Sequence, residues 1–426
     1  MKPYRELSAG ERQAESAALR EEFERCKALH LQLNMARGKP GREQLDLVSG
    51  LLTVLSGPAD CLDGTTDVRN YGEGSGIPSA KRLFAELLGT QPEEIFVGGN
   101  ASLSLMYDLI SKAYTHGLRH SERPWSKEPV VKFLCPSPGY DRHFRISQSL
   151  GMELITIPMT PEGPDMDAVE AAVRDPAVKG MWCVPKYSNP EGIIYSDRTV
   201  DRIAALRPAA PDFALMWDNA YCLHEIFGEF VPFRDILSLC RAHGNADMVY
   251  EFASTSKITF PGAGVAVMAA SVENQTYLQS LIGVQIISYD KVNQLRHVRF
   301  LRNKEHTLEL MRQHAAILAP KFQAVLDALD SELAPLGIAQ WTRPMGGYFI
   351  SCNAMPGTAK RVLALCAEAG VVMTPAGATF PYGIDPADSN IRIAPSLPPV
   401  EELKQAMAVF CICVRLAALE KLAEND

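Results

Sequence analysis

The sequence lacks several features that define whole classes of proteins. No stretch of its 426 residues approaches the roughly 20 consecutive apolar residues of a membrane-spanning helix, so we expect no membrane partner. The first seven residues, Met1–Leu7, contain no apolar signal core, which predicts that the protein is not secreted. Internal repeats and low-complexity segments are also missing. The hydrophobic content of 47% and charged content of 22% are typical of a soluble globular protein.

Paired cysteines and excess positive charge are missing as well. The ten cysteines are scattered, and the closest pair, Cys411 and Cys413, lies in a helix-like segment where alternate side chains diverge. We therefore expect neither a metal site nor a disulfide framework, and the pattern is typical of the reducing cytoplasm. The net charge of −8 argues against nucleic acid as a partner, because phosphate binding needs a basic surface.

Short apolar segments alternate with helix-like segments between about residues 78 and 270. Seven of them are predicted strands, namely 95–97, 130–135, 153–158, 180–184, 213–217, 248–252 and 265–268. Strands without polar alternation are buried on both faces, which predicts an α/β fold with a mostly parallel seven-stranded sheet between helices. Ligands bind such sheets at the carboxyl ends of the strands.

The remainder of the chain predicts an N-terminal segment and a small C-terminal domain. Residues 1–30 have the spacing of one amphipathic helix, in a segment, 1–60, that we expect to pack with the small domain. A long helical region, from about 282 to 329, leads from the large domain, 61–310, into this α+β domain, 311–426. The small domain has predicted strands at 348–352, 371–374 and 390–394, and predicted helices near 357–369 and 399–422.

Three motifs in a fixed order predict a site for pyridoxal phosphate. Lys257 follows a predicted strand and precedes a glycine-rich turn, and Asp218 ends the apolar run 213–217. A lysine amine forms a Schiff base with the cofactor aldehyde, and an aspartate pairs with the protonated pyridine nitrogen. Tyr221 and the amide of Asn189, in an Asn-Pro turn, are expected to hydrogen-bond the phenolic oxygen. Each motif alone has a plainer interpretation: a surface lysine, a helix-capping aspartate or an ordinary turn.

A glycine turn at residues 98–99 opens a predicted helix directly after a strand. This arrangement suits an anion, because the first amides of a helix are free to donate. The amides of Asn100 and Ala101 and the hydroxyl of Ser102 are the predicted phosphate donors, and Ser254 adds another hydroxyl. The alternative is an N-capped helix without a ligand.

Arg392 stands in the middle of an apolar strand, where an arginine is rare unless it is paired. Its guanidinium matches a carboxylate in bidentate geometry, so Arg392 is the candidate for the substrate α-carboxylate. A structural salt bridge is the alternative.

These motifs together resemble the fold-type I pyridoxal phosphate aminotransferases, and more narrowly the aspartate aminotransferase subgroup called type Ic. Three further segments are similar to that subgroup: Leu33–Pro40, Cys135–Phe144 and Thr374–Pro381. The resemblance implies a homodimer with shared active sites, in which Tyr71 reaches the cofactor phosphate of the neighbouring subunit. It also implies that the Gly38 backbone approaches the substrate carboxylate.

The sequence departs from the family pattern in two places. Most members carry an arginine about eight residues after the lysine, and this chain has Pro261–Val265 there. Backbone amides, Tyr71 or another cation would then balance the phosphate. The aromatic residue that usually stacks on the cofactor ring falls near Pro138, and Tyr140 is the nearest aromatic residue. We therefore expect Tyr140 to take that place.

The resemblance implies transamination between L-aspartate and 2-oxoglutarate in two half-reactions. A second cation for the side-chain carboxylate is expected among Arg37, Arg69, Arg142 and Arg343, and the sequence does not choose between them. A transaminase or β-lyase acting on alanine, an aromatic amino acid or a cysteine conjugate remains an alternative. A non-catalytic effector-binding regulator is a more distant one, because only about 30 residues precede Asn34, too few for a DNA-binding domain.

Overall fold

The computed structural model describes residues 2–424. The strands are β1 Leu33–Asn34, β2 Leu62–Asp63, β3 Thr66–Asp67, β4 Ile95–Val97, β5 Lys132–Ser137, β6 Glu153–Thr160, β7 Gly163–Pro164, β8 Val178–Cys183, β9 Ala214–Asp218, β10 Val249–Ser254, β11 Ala266–Ala270, β12 Ala339–Trp341, β13 Ile350–Ala354, β14 Val371–Val372 and β15 Asn390–Ile393. The helices are α1 Ala9–Ala28, α2 Arg42–Leu47, α3 Pro78–Leu88, α4 Ser102–Thr115, α5 Asp141–Ser149, α6 Met166–Ala172, α7 Asp197–Ala204, α8 Ile236–Ala242, α9 Val272–Gln285, α10 Lys291–Leu301, α11 Lys304–Glu332, α12 Ala359–Glu368 and α13 Val400–Ala423.

The large sheet has the strand order β4-β11-β10-β9-β8-β5-β6-β7. Neighbours from β10 to β6 are parallel, whereas β11 runs antiparallel to both of its neighbours. Every residue of β8 and β9 is buried, because helices cover both faces of the sheet. The α/β class is confirmed, and all seven predicted strands lie in this sheet. An eighth strand, β7, was not predicted, since two residues carry no periodic signal.

The small sheet joins β12, β13 and β15 in antiparallel pairs. The strand predicted at 371–374 is shorter in the structure and is not part of the small sheet. It is β14, which pairs in parallel with β1, so that Leu33 is opposite Val371. Helix α1 packs against α13, where Arg415 Nη2 lies 2.7 Å from Glu15 Oε1. The N-terminal segment is thus attached to the C-terminal part of the chain at two points.

The predicted helical region between about residues 282 and 329 is helical but interrupted, and it comprises the end of α9, all of α10 and most of α11. Asp290 accepts a hydrogen bond from Asn293 N and starts α10, and Asn303 accepts one from His306 N and starts α11. Such side-chain caps mark the start of a helix, whereas α9 ends where the backbone becomes extended at Ile286. Within residues 2–424, no helix combines the length and the apolar character that crossing a bilayer requires.

Candidate active site

A pocket of about 990 Å³ opens at the carboxyl edge of the large sheet, where residues around the small sheet, such as Phe349 and Arg392, meet it. Eight of the twelve predicted site residues line this pocket: Gly38, Ser102, Tyr140, Asn189, Asp218, Tyr221, Lys257 and Arg392. Parallel strands bring these residues together because their carboxyl ends share one edge. Residues that are far apart in the sequence therefore line the same pocket.

Asp218 is the last residue of β9 and is only 3% exposed. His143 Nε2 donates a hydrogen bond of 2.9 Å to Asp218 Oδ2, and the His143 ring stacks on Trp182 at 4.4 Å. The other oxygen, Oδ1, is buried and has no hydrogen-bond partner among residues 2–424. An unpaired buried oxygen is costly, so Oδ1 is available to a donor or cation in the pocket.

The turn after β10 positions Lys257. Thr255 N donates to Val265 O at 2.9 Å, and Thr259 N donates to Thr255 O at 2.8 Å, which closes the turn around the lysine. Lys257 Nζ lies 4.9 Å from the centroid of the Tyr221 ring. Burial lowers the pKa of the Lys257 amine, and the Asp218 charge opposes this effect only in part. The amine therefore loses its proton more readily than an exposed lysine does.

The guanidinium of Arg392 is held from several sides. Nη1 lies 3.2 Å from Asn189 Oδ1 and 3.4 Å from Asp141 Oδ1, and Nε lies 3.4 Å from Thr374 Oγ1. The guanidinium carbon is 4.8 Å from the centroid of the Phe349 ring. These contacts are long, so a carboxylate entering the pocket can replace the one to Asp141 with shorter bonds.

A buried hydrogen-bond network behind the lysine was not predicted. Gln44 Nε2 lies 3.0 Å from Tyr348 Oη and 3.1 Å from His314 Nδ1, and His314 Nε2 lies 3.0 Å from Ile258 O. Burial lowers the pKa of His314 to about 4, so its ring is neutral and donates from Nε2. The ring of Tyr348 stacks on Tyr221 at 6.1 Å. Three distant segments thus meet at the peptide that follows Lys257.

The four other predicted residues, Tyr71, Asn100, Ala101 and Ser254, do not line the pocket of the single chain. Tyr71 is 79% exposed. Asn100 and Ala101 directly precede α4, and Ser254 Oγ lies 3.1 Å from Ser256 Oγ. Their roles stay predictions.

Two of the four candidate arginines line the pocket, Arg37 and Arg142, together with Arg145, which was not predicted. Arg69 instead pairs with Asp67 at 2.6 Å, and Arg343 pairs with Asp330, both outside the pocket.

The family model for aspartate amino-transferase matches residues 7–426 of this chain. An aspartate aminotransferase of Corynebacterium glutamicum is 48% identical over 407 residues, which cover 95% of this chain and 94% of that protein. The crystal structure of an aspartate transaminase from the same species has a TM-score of 0.96 and 46% identity, and covers 98% of this chain and 99% of the other.

A more distant structure shares the fold alone. The α-aminoadipate aminotransferase of Thermus thermophilus, complexed with N-(5'-phosphopyridoxyl)-L-leucine, is 22% identical with a TM-score of 0.73. It covers 98% of this chain and 100% of its own. The agreement of sequence and fold over almost the whole length identifies the protein as an aminotransferase, and the chain belongs to the aspartate aminotransferase family.

Proposed function

We propose that this aminotransferase binds pyridoxal phosphate and transfers the amino group between L-aspartate and 2-oxoglutarate. One observation carries the proposal: the unpaired, buried Oδ1 of Asp218 shares a pocket with the partly buried amine of Lys257. These residues fit a cofactor that has a basic ring nitrogen at one end and an aldehyde near the other. When bound, the cofactor would stabilise the electron pair left on the substrate after loss of the α-proton.

Lys257 has two tasks in this proposal. Its amine would hold the cofactor, and the free amine would carry the α-proton of the bound amino acid away. The lowered pKa of Lys257 suits the second task, because a base must be deprotonated to act. Asp218 would hold the ring nitrogen, and His143 orients the Asp218 carboxylate through Oδ2.

Other predicted residues would make the remaining cofactor contacts. In this proposal Tyr221 and Asn189 donate to the phenolic oxygen and Tyr140 stacks on the ring, and all three residues line the pocket. The proposed phosphate donors are Asn100, Ala101, Ser102 and Ser254, together with Tyr71 of a second subunit. The exposure of Tyr71 supports this last role and a homodimer with shared active sites. The cytoplasm is the proposed location.

The substrate side of the pocket supports a dicarboxylate. Arg392 would bind the α-carboxylate and the Gly38 backbone would approach it, and both residues line the pocket. Arg37, Arg142 and Arg145 supply cations for a second carboxylate. The name of the Corynebacterium glutamicum relative also supports aspartate.

Visible absorption of the purified holoenzyme tests the proposal. We expect a cofactor band that bleaches with L-aspartate and returns with 2-oxoglutarate, and that is absent in a Lys257→Ala variant. A band that ignores aspartate would exclude this substrate pair. Release of ammonia without an acceptor oxo acid would instead indicate a β-lyase, and a protein that shows no band with added pyridoxal phosphate would overturn the proposal.

A further inference from the structure

Asp141 places a negative charge in a pocket whose other charges are mostly positive. Among residues 2–424, the charged lining of the active-site pocket consists of six basic residues and two acidic ones, Asp141 and Asp218. The proposed function uses Asp218 for the cofactor ring and gives Asp141 no part. A carboxylate in this position opposes the binding of another carboxylate, because like charges a few ångströms apart repel each other.

The Asp141 carboxylate contacts the guanidinium that we assign to the substrate. Asp141 Oδ1 lies 3.4 Å from Arg392 Nη1, and the two side chains are 18% and 7% exposed. A bond between an arginine and a carboxylate is ordinarily about 2.7–2.9 Å long, so this contact is a weak one. Within residues 2–424, the Asp141 carboxylate has no second hydrogen bond.

Other contacts hold the Arg392 side chain without Asp141. Nη1 lies 3.2 Å from Asn189 Oδ1, and Nε lies 3.4 Å from Thr374 Oγ1. The guanidinium carbon also lies 4.8 Å from the centroid of the Phe349 ring. These three contacts remain if the Asp141 carboxylate moves away or loses its charge, so the orientation of Arg392 does not depend on Asp141.

Asp141 occupies a donor that a substrate carboxylate needs. A carboxylate that binds the guanidinium end-on uses Nη1 and Nη2 together. Nη2 has no hydrogen-bond partner in the described part of the chain, whereas Nη1 is shared by Asn189 and Asp141. The weaker of these two contacts is the one to Asp141, so an incoming carboxylate displaces Asp141 first.

The displaced Asp141 can stay charged because of its place in the helix. It is the first residue of α5, where free amides and the helix dipole stabilise a negative charge. Its side chain is also partly open to solvent. Loss of the contact to Arg392 therefore costs little, and the contact can form again when the ligand leaves.

We propose that Asp141 is an internal competitor of the substrate, which pairs with Arg392 between turnovers and is displaced by the α-carboxylate of the amino acid or oxo acid. The inference rests on the proposed function and adds a residue that sets substrate affinity. Asp141 acts through Arg392, so it is a positioning residue. Its return to the guanidinium favours release of the product, and weaker binding of substrate and transition state alike does not lower kcat.

Binding of succinate to the holoenzyme, measured by calorimetry, tests this proposal. Succinate has two carboxylates and no amino group, so transamination cannot convert it. Asp141→Asn keeps the size of the side chain and removes its charge, and it should bind succinate at least about tenfold more tightly than the wild type. Asp197→Asn, at the exposed first position of α7, is the matched control and should bind like the wild type. Unchanged or weaker binding in Asp141→Asn would overturn the proposal.

Kinetics and a double variant separate competition from a structural role. In Asp141→Asn, KM for aspartate should fall while kcat does not rise, and a higher KM would count against the proposal. In an Arg392→Leu background, Asp141→Asn should give no gain in succinate affinity, because the competition acts through Arg392. An equal gain there would show that Asp141 only adds negative charge to the pocket, and would also overturn it. The succinate titrations can be read even if aspartate proves not to be a substrate, so failure of the proposed function is distinguishable.

Discussion

Asp218 and His143 form a hydrogen bond of 2.9 Å at the end of β9, and both side chains are at least 97% buried, with exposures of 3% and 1%. The bond satisfies one carboxylate oxygen and leaves the other free to face the pocket. His143 therefore decides where the Asp218 charge points, although His143 itself does not line the active-site pocket.

Replacing His143 with phenylalanine should weaken cofactor binding. The ring would keep its stacking on Trp182 but lose the donor to Asp218, leaving a second buried oxygen unpaired. A hydrogen bond to a charged group contributes about 1.5–3 kcal/mol, so the dissociation constant of pyridoxal phosphate should rise on the order of 10- to 100-fold. Fluorescence titration of the apoprotein measures it. His243→Phe, at an exposed position, is the control, and an unchanged constant in His143→Phe would contradict this role.

Gly38→Ala should impair substrate binding more than folding. A Cβ at this position would lie 2.7 Å from Phe349 Cζ and 3.2 Å from Tyr348 Cβ. Phe349 would have to move, and Arg392, which lies over its ring, would lose its position. We expect KM for the amino donor to rise by about tenfold or more with a smaller change in thermal stability. Gly10→Ala, where nothing lies within 4 Å, is the matched control, and equal kinetics in both variants would contradict the prediction.

Gln44→Leu should destabilise the protein and slow catalysis together. The change leaves His314 Nδ1 unpaired, at a cost of about 1–3 kcal/mol for a buried group, and leaves Tyr348 Oη with only its 3.5 Å contact to Lys257 O. Because His314 also holds Ile258 O, the turn that carries Lys257 should loosen and kcat should fall. Urea unfolding and steady-state kinetics measure the two effects. The exposed Gln32→Leu variant should change neither, and a Gln44→Leu enzyme with normal kcat would remove the network from any part in positioning the lysine.

Stability should fall between about pH 5 and pH 8 because of Glu251. Burial raises the pKa of Glu251 to about 8 from its ordinary value of 4.5, so the folded state keeps a proton that the unfolded state releases. The contribution of Glu251 to the free energy of unfolding is fully present below the pKa of this residue in the unfolded state. It is lost as the pH rises through the pKa of Glu251 in the folded state. Glu251→Gln keeps an acceptor for Asn219 Nδ2 and removes the titration.

Thermal unfolding of the wild type and of Glu251→Gln, measured at about pH 5 and about pH 8, checks this prediction. The variant should gain stability relative to the wild type at the higher pH, whereas the exposed control Glu21→Gln should follow the wild type. Parallel curves for Glu251→Gln and wild type would show that Glu251 does not titrate in this range.

The parts of the fold that the sequence predicted are those encoded locally. Strands β8 and β9 are continuous apolar runs because both faces are covered, and the strand-end Asp218 follows directly from that pattern. The buried network could not be predicted in this way. Gln44 meets Tyr348 across 304 residues and His314 across 270, and nothing near Gln44 in the sequence indicates either partner. The start of α10 was missed for a related reason, since it is marked by one capping side chain, Asp290, after a backbone that is already extended at Ile286.

The pairing of β1 with β14 has a consequence for synthesis of the chain. Leu33 N donates to Gly370 O, Met35 N donates to Val372 O, and Ala36 O accepts from Thr374 Oγ1, the hydroxyl that lies beside Arg392. One wall of the active-site pocket is therefore built from two segments that lie 338 residues apart in the chain. Asp218 and Lys257 lie between these segments in the sequence, so the ribosome adds the second segment only after both of them.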